Sequence, residues 1–522
     1  MGFKRKPLAA CCSLLFAVAG TARADQMSDM QSQLEALQRQ IQQLQSQINN
    51  VKREQARQAA APPPSTATGA GASAGNFIRP GKTLTFDVAG STIQIYGHAD
   101  VSLDTQTNGM GGFVNDGQPV TGHNGWVPDI SSNLSYFGVR GSRNLGEELR
   151  GLIQFETEVA YAATPGASDQ APDGTAQKFS LGSRNSFVGL GGRTWGAVKL
   201  GKTDTPYKTS TARLDPFAST PGDYNAIIGN SGGDNRSEFD MRLPHSIWYE
   251  SPHFGALNFA VLASPGQNRS TDTQLYAEGE PDCAGGNSTA GLNGNNGQPS
   301  SCEDGSFRDA YSAALMYQAG PLYATVGYEL HKNVNRRGDE IDPGTVGIRD
   351  ESAVKLGVQY KFPTHTTVDF EIERLHRDAI VEDLNERSRT STWIALTQGF
   401  TPRDDLNAAW AHAGHTPGQP DQGVQDRNGV ANGPGPSNNG ANLYDLGWKH
   451  HFDSQTTMYL VYARLVNEHW GHYSLGAGGH GLPTRNYVGD KFIGGCADGG
   501  NCGPPFTGNT AQAFSWGVQY DF

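Results

Sequence analysis

Two different repeats of apolar residues divide the chain into two modules. Near the N-terminus, apolar residues recur at alternating steps of three and four, which is the pattern of a coiled-coil helix. From about Ile93 to Phe522 the period is two, so that apolar and polar residues alternate as along a strand with one apolar face. The pattern predicts a short helical segment, 25–58, followed by a long all-β domain.

The helical segment carries one apolar seam over about four heptads. Its flanks are mostly glutamine and carry few charges that would select a different protein as partner, so self-association is the simpler prediction. The alternative is a lone amphipathic helix that lies on another surface. Residues 59–90 form the predicted linker, because Pro62-Pro63-Pro64 suits neither helix nor sheet. The seam consists of Met27, Met30, Leu34, Leu37, Ile41, Leu44, Ile48 and Val51.

The β-domain, 91–522, has the strand pattern of a transmembrane barrel. Strands of about ten residues end in aromatic residues, and short turns alternate with long polar loops, which predicts about 16 antiparallel strands. A barrel of that size encloses water. In the first strand Ile93, Ile95, Gly97, Ala99, Val101 and Leu103 are predicted to face outward; in the last strand Phe514, Trp516, Val518, Tyr520 and Phe522 share one face.

The N-terminus has the three parts of a secretory signal peptide, 1–24. A cationic start precedes the apolar stretch Leu8–Ala19 and the cleavage pattern Ala22-Arg23-Ala24. Lipidation at Cys11 is the alternative. Removing four positive charges would change the formal net charge from -12 to -16, since -12 - 4 = -16. A nucleic-acid partner is therefore not expected.

Four cysteines would remain after export, as two close pairs in Gly/Asn-rich stretches. In an oxidising compartment we expect two local disulfides, Cys283 with Cys302 and Cys496 with Cys502. Three pairings are formally open, and Cys/His metal binding is an alternative, although no histidine has ligand spacing near either pair.

Three ordered stretches read SYFGVRGSRNLGEELRGLIQFETE from Ser135, RNSFVGLGGRTWGAVKLGKTDTP from Arg184 and RLPHSIWYESP from Arg242. Together they resemble the trimeric Gram-negative porins. The terminal Phe522 resembles the signal read by the barrel-assembly machinery. The helical segment looks like the N-terminal extension of dicarboxylate-type (DcaP-like) porins.

The resemblance implies that the third loop, 203–241, folds into the lumen and carries acids that face a basic wall. Opposed charges there would create a transverse field across the pore. Tyr136 and Trp248 stand where the family pattern commonly has basic residues; they would stack on sugars or aromatic acids, or simply pack in the wall. The implied constriction residues are Asp215, Asp223, Asp234 and Glu238 on the loop and Arg140, Arg150, Arg184 and Arg242 on the facing wall, with Lys199 and Lys202 leading into the loop.

These features together predict a porin for passive diffusion of small hydrophilic solutes, with organic anions such as dicarboxylates as the alternative substrates. No cofactor, metal or enzymatic chemistry is expected, because no nucleophile elbow or metal box is present in the sequence. An adhesin and an outer-membrane hydrolase are the competing readings. The expected partners are two further copies of the chain, outer-membrane lipid and lipopolysaccharide, and a periplasmic or peptidoglycan contact of the coiled coil.

Overall fold

The computed structural model describes the chain from residue 84 to its C-terminus, with internal gaps. The signal peptide, the coiled coil and both cysteine pairs predicted above lie outside the described residues. The gaps are residues 89, 116–117, 123–124, 147, 160, 163–181, 230–238, 266–306, 336–347, 379–387, 418–437, 472, 476–485, 489–490 and 494–506.

Regular structure is almost entirely β-strand. Within the described residues one α-helix, α1, spans Pro206–Thr211, and 3₁₀ turns follow at Ala212–Leu214 and Tyr224–Ala226. No helix in this part of the chain is long and apolar enough to cross a membrane. The strands are β1 Leu84–Val88, β2 Ser91–Thr107, β3 Val114–Asn115, β4 Gln118–Gly122, β5 Val127–Ser132, β6 Tyr136–Asn144, β7 Arg150–Glu158, β8 Ser186–Gly192, β9 Gly196–Asp204, β10 Arg242–Glu250, β11 Leu257–Ser264, β12 Asp309–Ala319, β13 Leu322–Asn335, β14 Ile348–Lys361, β15 Thr366–Arg377, β16 Thr390–Gly399, β17 Asp404–Ala413, β18 Ala441–His451, β19 Thr456–Asn467, β20 Asn486–Val488, β21 Lys491–Ile493 and β22 Thr510–Asp521.

Most of these strands form one antiparallel sheet that closes on itself. The sheet contains 18 strand segments. β5 and β6 share one position, because both pair with β2 and only three residues separate them. β1 and β22 share another position on the opposite edge of β2. The result is a closed 16-strand antiparallel barrel, which confirms the fold class predicted from the sequence.

The barrel closes where the last strand meets the first. β22 pairs with β2 from Asp521 with His98 to Gln512 with Thr107. Gly97 and Phe522 exchange two backbone hydrogen bonds of 3.0 and 3.1 Å. A β-carbon on Gly97 would lie 2.4 Å from Cζ of the Phe522 ring, so only glycine leaves room for this ring.

The strands expose apolar side chains outward and turn polar ones inward. In β2, Leu103 is exposed on the outside, whereas Asp100, Ser102 and Asp104 are buried inside, as the alternation predicts. This outer band suits the hydrocarbon of a bilayer. Exposed aromatic residues border the band, with Tyr317, Tyr360, Phe362, Phe400 and Phe452 toward the short turns and Trp126, Tyr311, Tyr444 and Phe514 toward the long loops.

Short turns and long connections leave opposite ends of the barrel. The turns at 145–149, 193–195, 320–321, 362–365 and 452–455 join neighbouring strands. The connections at 205–241, 265–308, 414–440 and 468–509 are far longer. Parts of the connection at 108–126, between β2 and β5, pair with parts of the connection at 468–509 as a small sheet of β3, β4, β20 and β21.

Candidate functional site

The connection between β9 and β10, which we call the third loop, enters the barrel through α1. Thr205 caps this helix by accepting a hydrogen bond from the Lys208 N–H at 3.2 Å, and Pro206 occupies its first turn. The buried Tyr207 then joins the helix to the inner wall. Its N–H donates to Ser312 Oγ of β12 at 3.0 Å, and its hydroxyl donates to Glu373 Oε2 of β15 at 2.6 Å.

A buried lysine ties the end of the loop to the same part of the wall. Lys355 Nζ of β14 lies 2.6 Å from Asp240 Oδ1 of the loop and 3.8 Å from Glu371 Oε1 of β15. The ammonium also lies 4.1 Å from the centre of the Tyr207 ring. Removing one partner of such a buried pair costs about 3–5 kcal/mol. Both ends of the third loop are therefore held firmly.

The middle of the third loop packs an apolar face against the next part of the inner wall, which begins at β16 beside β15. Phe217, Tyr224, Ile227 and Ile228 are buried against strands β16–β19 and β22. Trp393 of β16 joins this cluster and donates its indole N–H to the carbonyl of Leu214 at 3.2 Å. The wall beneath is built from small side chains, which leave space for the loop: Ala395, Ala411, Ala413, Ala441, Ala463, Ala511 and Ala513.

Two described acids of the loop, Asp215 and Asp223, are bound by backbone N–H groups of the loop itself. Asp215 accepts the N–H groups of Phe217 and Tyr224 at 2.7 and 3.3 Å, and Asp223 accepts those of Ser219 and Asn225 at 2.9 Å each. Burial raises the pKa of the Asp215 carboxyl, and the nearby Asp223 carboxylate raises it further. Both side chains are buried, so neither presents a charge to the open lumen. The remaining two loop acids that the resemblance nominated, Asp234 and Glu238, lie outside the described residues.

The charged side chains of the described loop that are not buried are positive. Lys208 pairs with Asp204 Oδ1 at 3.1 Å. Arg213 donates to Gln318 Oε1 at 2.8 Å and to Gln359 Oε1 at 2.9 Å, and the residue is exposed. Among the described residues no carboxylate lies within ion-pair distance of Arg213.

On the wall that the loop leaves uncovered, Arg140 of β6 projects into the lumen. Its guanidinium carbon lies 4.8 Å from the centre of the Tyr96 ring, and Nε donates to Gln94 Oε1. Gly138 permits this arrangement, because a β-carbon there would lie 2.4 Å from Tyr96 Cζ. Arg140 is exposed, and in the described part of the chain it pairs with no carboxylate.

Arg184 lies on the same wall, but its charge is compensated. Its Nε is 2.7 Å from Glu156 Oε1, and the other oxygen of Glu156 accepts the Tyr96 hydroxyl at 3.0 Å. The guanidinium carbon of Arg184 is 4.6 Å from the centre of the Tyr136 ring, which stacks on His98 at 5.8 Å. Tyr136 thus packs within a row of rings and guanidinium groups.

Lys199 of β9 is also paired. Its Nζ lies 2.7 Å from both carboxylate oxygens of Glu250, and it lies 4.7 Å from the centre of the Phe187 ring. Trp248 is buried beside Phe187 at 5.2 Å and donates to Glu250 Oε1 at 2.9 Å. Trp248 thus packs in the wall. Along β9, Lys202 shares a face with the outward Leu200 and not with Lys199.

The other two nominated arginines lie away from Arg140. Arg242, the first residue of β10, pairs with Asp204 Oδ1 at 3.2 Å and donates to Asn185 Oδ1 at 2.8 Å, at the base of the third loop. Arg150 is exposed at the start of β7, beside the short turn 145–149. The structure therefore brings Arg140 and Arg184 together and separates them from Arg150.

Three residues of this wall, Gln94, Tyr96 and Glu156, were not predicted as site residues from the sequence. Alternation placed Gln94 and Tyr96 on the lumen face, but their contacts with Arg140 depend on pairing between β2 and β6. Glu156 neutralises Arg184 across 28 positions of the chain. No local pattern signals such a pair.

Comparison with known proteins agrees with this architecture. The model of the Gram-negative porin family matches residues 59–469. The chain is 27% identical over 214 residues to the major outer membrane protein P.IA of Neisseria meningitidis, covering 41% of this chain and 47% of the relative. It is 22% identical over 283 residues to an outer membrane porin protein of Bordetella pertussis, covering 52% and 64%. The chain thus spans about half the length of the P.IA relatives that it matches.

A solved structure shows the same fold. The anion-selective porin from Comamonas acidovorans superposes with a TM-score of 0.51 at 16% identity, covering 83% of this chain and 100% of that one. At this identity the likeness concerns the fold alone.

Proposed function

Since the chain belongs to the Gram-negative porin family, we propose that it forms a water-filled channel through the outer membrane for passive diffusion of small hydrophilic solutes. One observation carries the proposal: the third loop lies inside a closed 16-strand barrel and is fastened to the inner wall at both ends and in its middle. A loop held in this way would narrow the lumen and leave a passage along the wall of β6–β10. The channel needs no cofactor in this mechanism.

We further propose that the channel prefers anions, with organic anions such as dicarboxylates as the specific substrates. The support is the balance of exposed charge. Arg140 on the wall and Arg213 on the loop are exposed residues, whereas Asp215 and Asp223 are buried and bound by backbone N–H groups. An exposed cation attracts anions through water more strongly than a neutralised pair does.

The proposal for assembly comes from the sequence. Three copies of the chain would associate, helped by the seam Met27–Val51, with the coiled coil on the periplasmic side and open to a peptidoglycan contact. The place of Phe522 in the barrel seam fits a terminal signal for the barrel-assembly machinery. The outer apolar band would contact membrane lipid, with lipopolysaccharide in the outer leaflet. The two local disulfides would tie long outer loops.

Recording from single channels in a planar bilayer tests the channel. Purified protein in a salt gradient should give conductance steps, grouped in threes for a trimer, and a reversal potential that favours anions. A reversal potential favouring cations would refute the selectivity while leaving the channel intact. Silent membranes from protein with full barrel structure by circular dichroism would refute the channel, and the adhesin and hydrolase readings would return.

A further inference from the structure

Three loops meet at residues 227 and 228 of the third loop. The third loop contributes Ile227 and Ile228, the connection after β15 contributes Arg389, and the connection after β19 contributes Tyr473 and Leu475. All five residues are fully or almost fully buried, with exposures of 0 to 2%. The connection after β19 therefore reaches into the barrel and covers the third loop from the side of the long loops.

Arg389 is the centre of this junction. One terminal nitrogen of its guanidinium donates to the carbonyl oxygen of Ile227 at 3.3 Å, and its guanidinium carbon lies 5.2 Å from the centre of the Tyr473 ring. A buried carbonyl needs a donor, and a buried guanidinium group gains from an aromatic face. The Arg389 side chain thus donates a hydrogen bond to the third loop and also contacts a ring of the connection after β19.

The wall holds Tyr473 in place through Asn467, the last residue of β19. The side-chain oxygen of Asn467 accepts the Tyr473 N–H at 2.9 Å, and its amide nitrogen donates to the Tyr473 carbonyl at 2.8 Å. A second bond of 2.8 Å joins this amide to Asn509 beside β22. The position of Tyr473 is therefore defined by the barrel and not by the loop alone.

We propose that Arg389 and Tyr473 are positioning residues that clamp the third loop, so that the connection after β19 helps to set the width of the pore. This inference rests on the proposed channel function. The ends of the third loop are held by Tyr207 and Lys355, but Ile227 lies far from both ends along the chain. Loss of the clamp would leave the buried Ile227 carbonyl without this donor, which would weaken the packing of the middle of the loop and favour a state in which it lifts from the wall, the lifted state.

Variants in both halves of the clamp test the proposal. Arg389→Met keeps an apolar side chain of similar length but loses the charged hydrogen bond and the ring contact, so the lifted state should become roughly tenfold more populated. Single-channel recordings should then show larger open-channel noise and closure at lower voltage. Tyr473→Leu should have the same effect at about threefold, because only the ring contact is lost.

Tyr473→Phe is the matched control. Within the described residues the Tyr473 hydroxyl has no hydrogen-bond partner, so the phenylalanine variant keeps every contact that the clamp uses and should behave as the unmodified protein. Arg464→Gln, an exposed outward arginine on β19, controls for loss of charge. Thermal melting of each detergent-solubilised barrel separates a clamp defect from general destabilisation.

The outcomes distinguish a failure of the clamp proposal from a failure of the proposed channel function. If Arg389→Met and Tyr473→Leu conduct with unmodified noise and voltage threshold, the clamp is refuted while the channel function stands. If Arg389→Met does not fold, the comparison of Tyr473→Leu with Tyr473→Phe decides, and equal behaviour of the two overturns the proposal. If the unmodified protein gives no current, the channel function itself fails.

Discussion

Replacing Arg140 by glutamine should move ion selectivity toward cations. The side chain projects from the uncovered wall, is exposed and pairs with no carboxylate among the described residues, so its whole charge acts on passing ions. For an ion about 8 Å away, Coulomb's law in water gives about 0.5 kcal/mol, and screening at 0.1 M salt roughly halves this.

The effect on the ratio of anion to cation permeability is twice as large in free energy, because the charge attracts one ion and repels the other. Arg140→Gln should therefore lower this ratio by about twofold at 0.1 M salt and by about fivefold in dilute salt. The reversal potential in a salt gradient measures the ratio directly.

Two further variants make this prediction specific. Glu156→Gln removes the carboxylate that pairs with Arg184 at 2.7 Å, and it should shift the ratio toward anions. Arg150→Gln removes an exposed charge beside the short turn 145–149, and it should change the ratio much less than Arg140→Gln does. Equal ratios in Arg140→Gln and the unmodified channel, or equal shifts in Arg140→Gln and Arg150→Gln, would refute the reasoning.

Three other predictions concern stability. Gly138→Ala should destabilise the barrel by about 1–3 kcal/mol in denaturant melts, because its β-carbon would lie 2.4 Å from Tyr96 Cζ, whereas Gly141→Ala, whose nearest neighbour is at 3.3 Å, should cost less; equal losses would contradict this. Deleting Asp25–Gly75 should lower the melting temperature of the trimer in detergent and leave the barrel folded, and an unchanged temperature would count against a role of the seam in assembly. Two backbone N–H groups lower the pKa of the Asp453 carboxyl in the turn after β18, so its charged form stabilises the fold above the usual aspartate pKa of about 3.9 and this contribution is lost as the pH falls through the folded value. The deficit of Asp453→Asn in melting temperature should thus be largest at neutral pH and shrink in acid; a constant deficit would exclude this linkage.

The architecture of the barrel could be predicted from the sequence because it depends on local properties. Successive side chains of a strand point to opposite faces, so the alternation from Ile93 to Leu103 already separates the lipid side from the lumen side. The spacing of short turns and long loops sets the number of strands. The sequence predicts the third loop at 203–241, and the structure has a connection between β9 and β10 at 205–241.

The tertiary structure alone decided which charges remain free. The sequence nominated Arg140 and Arg184 alike, but Glu156 reaches Arg184 through the pairing of β7 with its neighbours, and Arg140 has no such partner among the described residues. Similarly, the resemblance predicts that Asp215 places a charge in the lumen, but the turns of the third loop bury its carboxyl against backbone N–H groups of the loop.

The clamp on the third loop is the feature that could least be predicted from the sequence. Arg389 and Ile227 are 162 positions apart, and their contact requires the paths of two loops inside a closed barrel. Periodicity reports which face of a strand a side chain occupies, because that face is fixed by the backbone of the strand itself. It does not report which distant side chain will lie opposite, because that depends on strand register, barrel closure and the course of loops that fold back into the lumen.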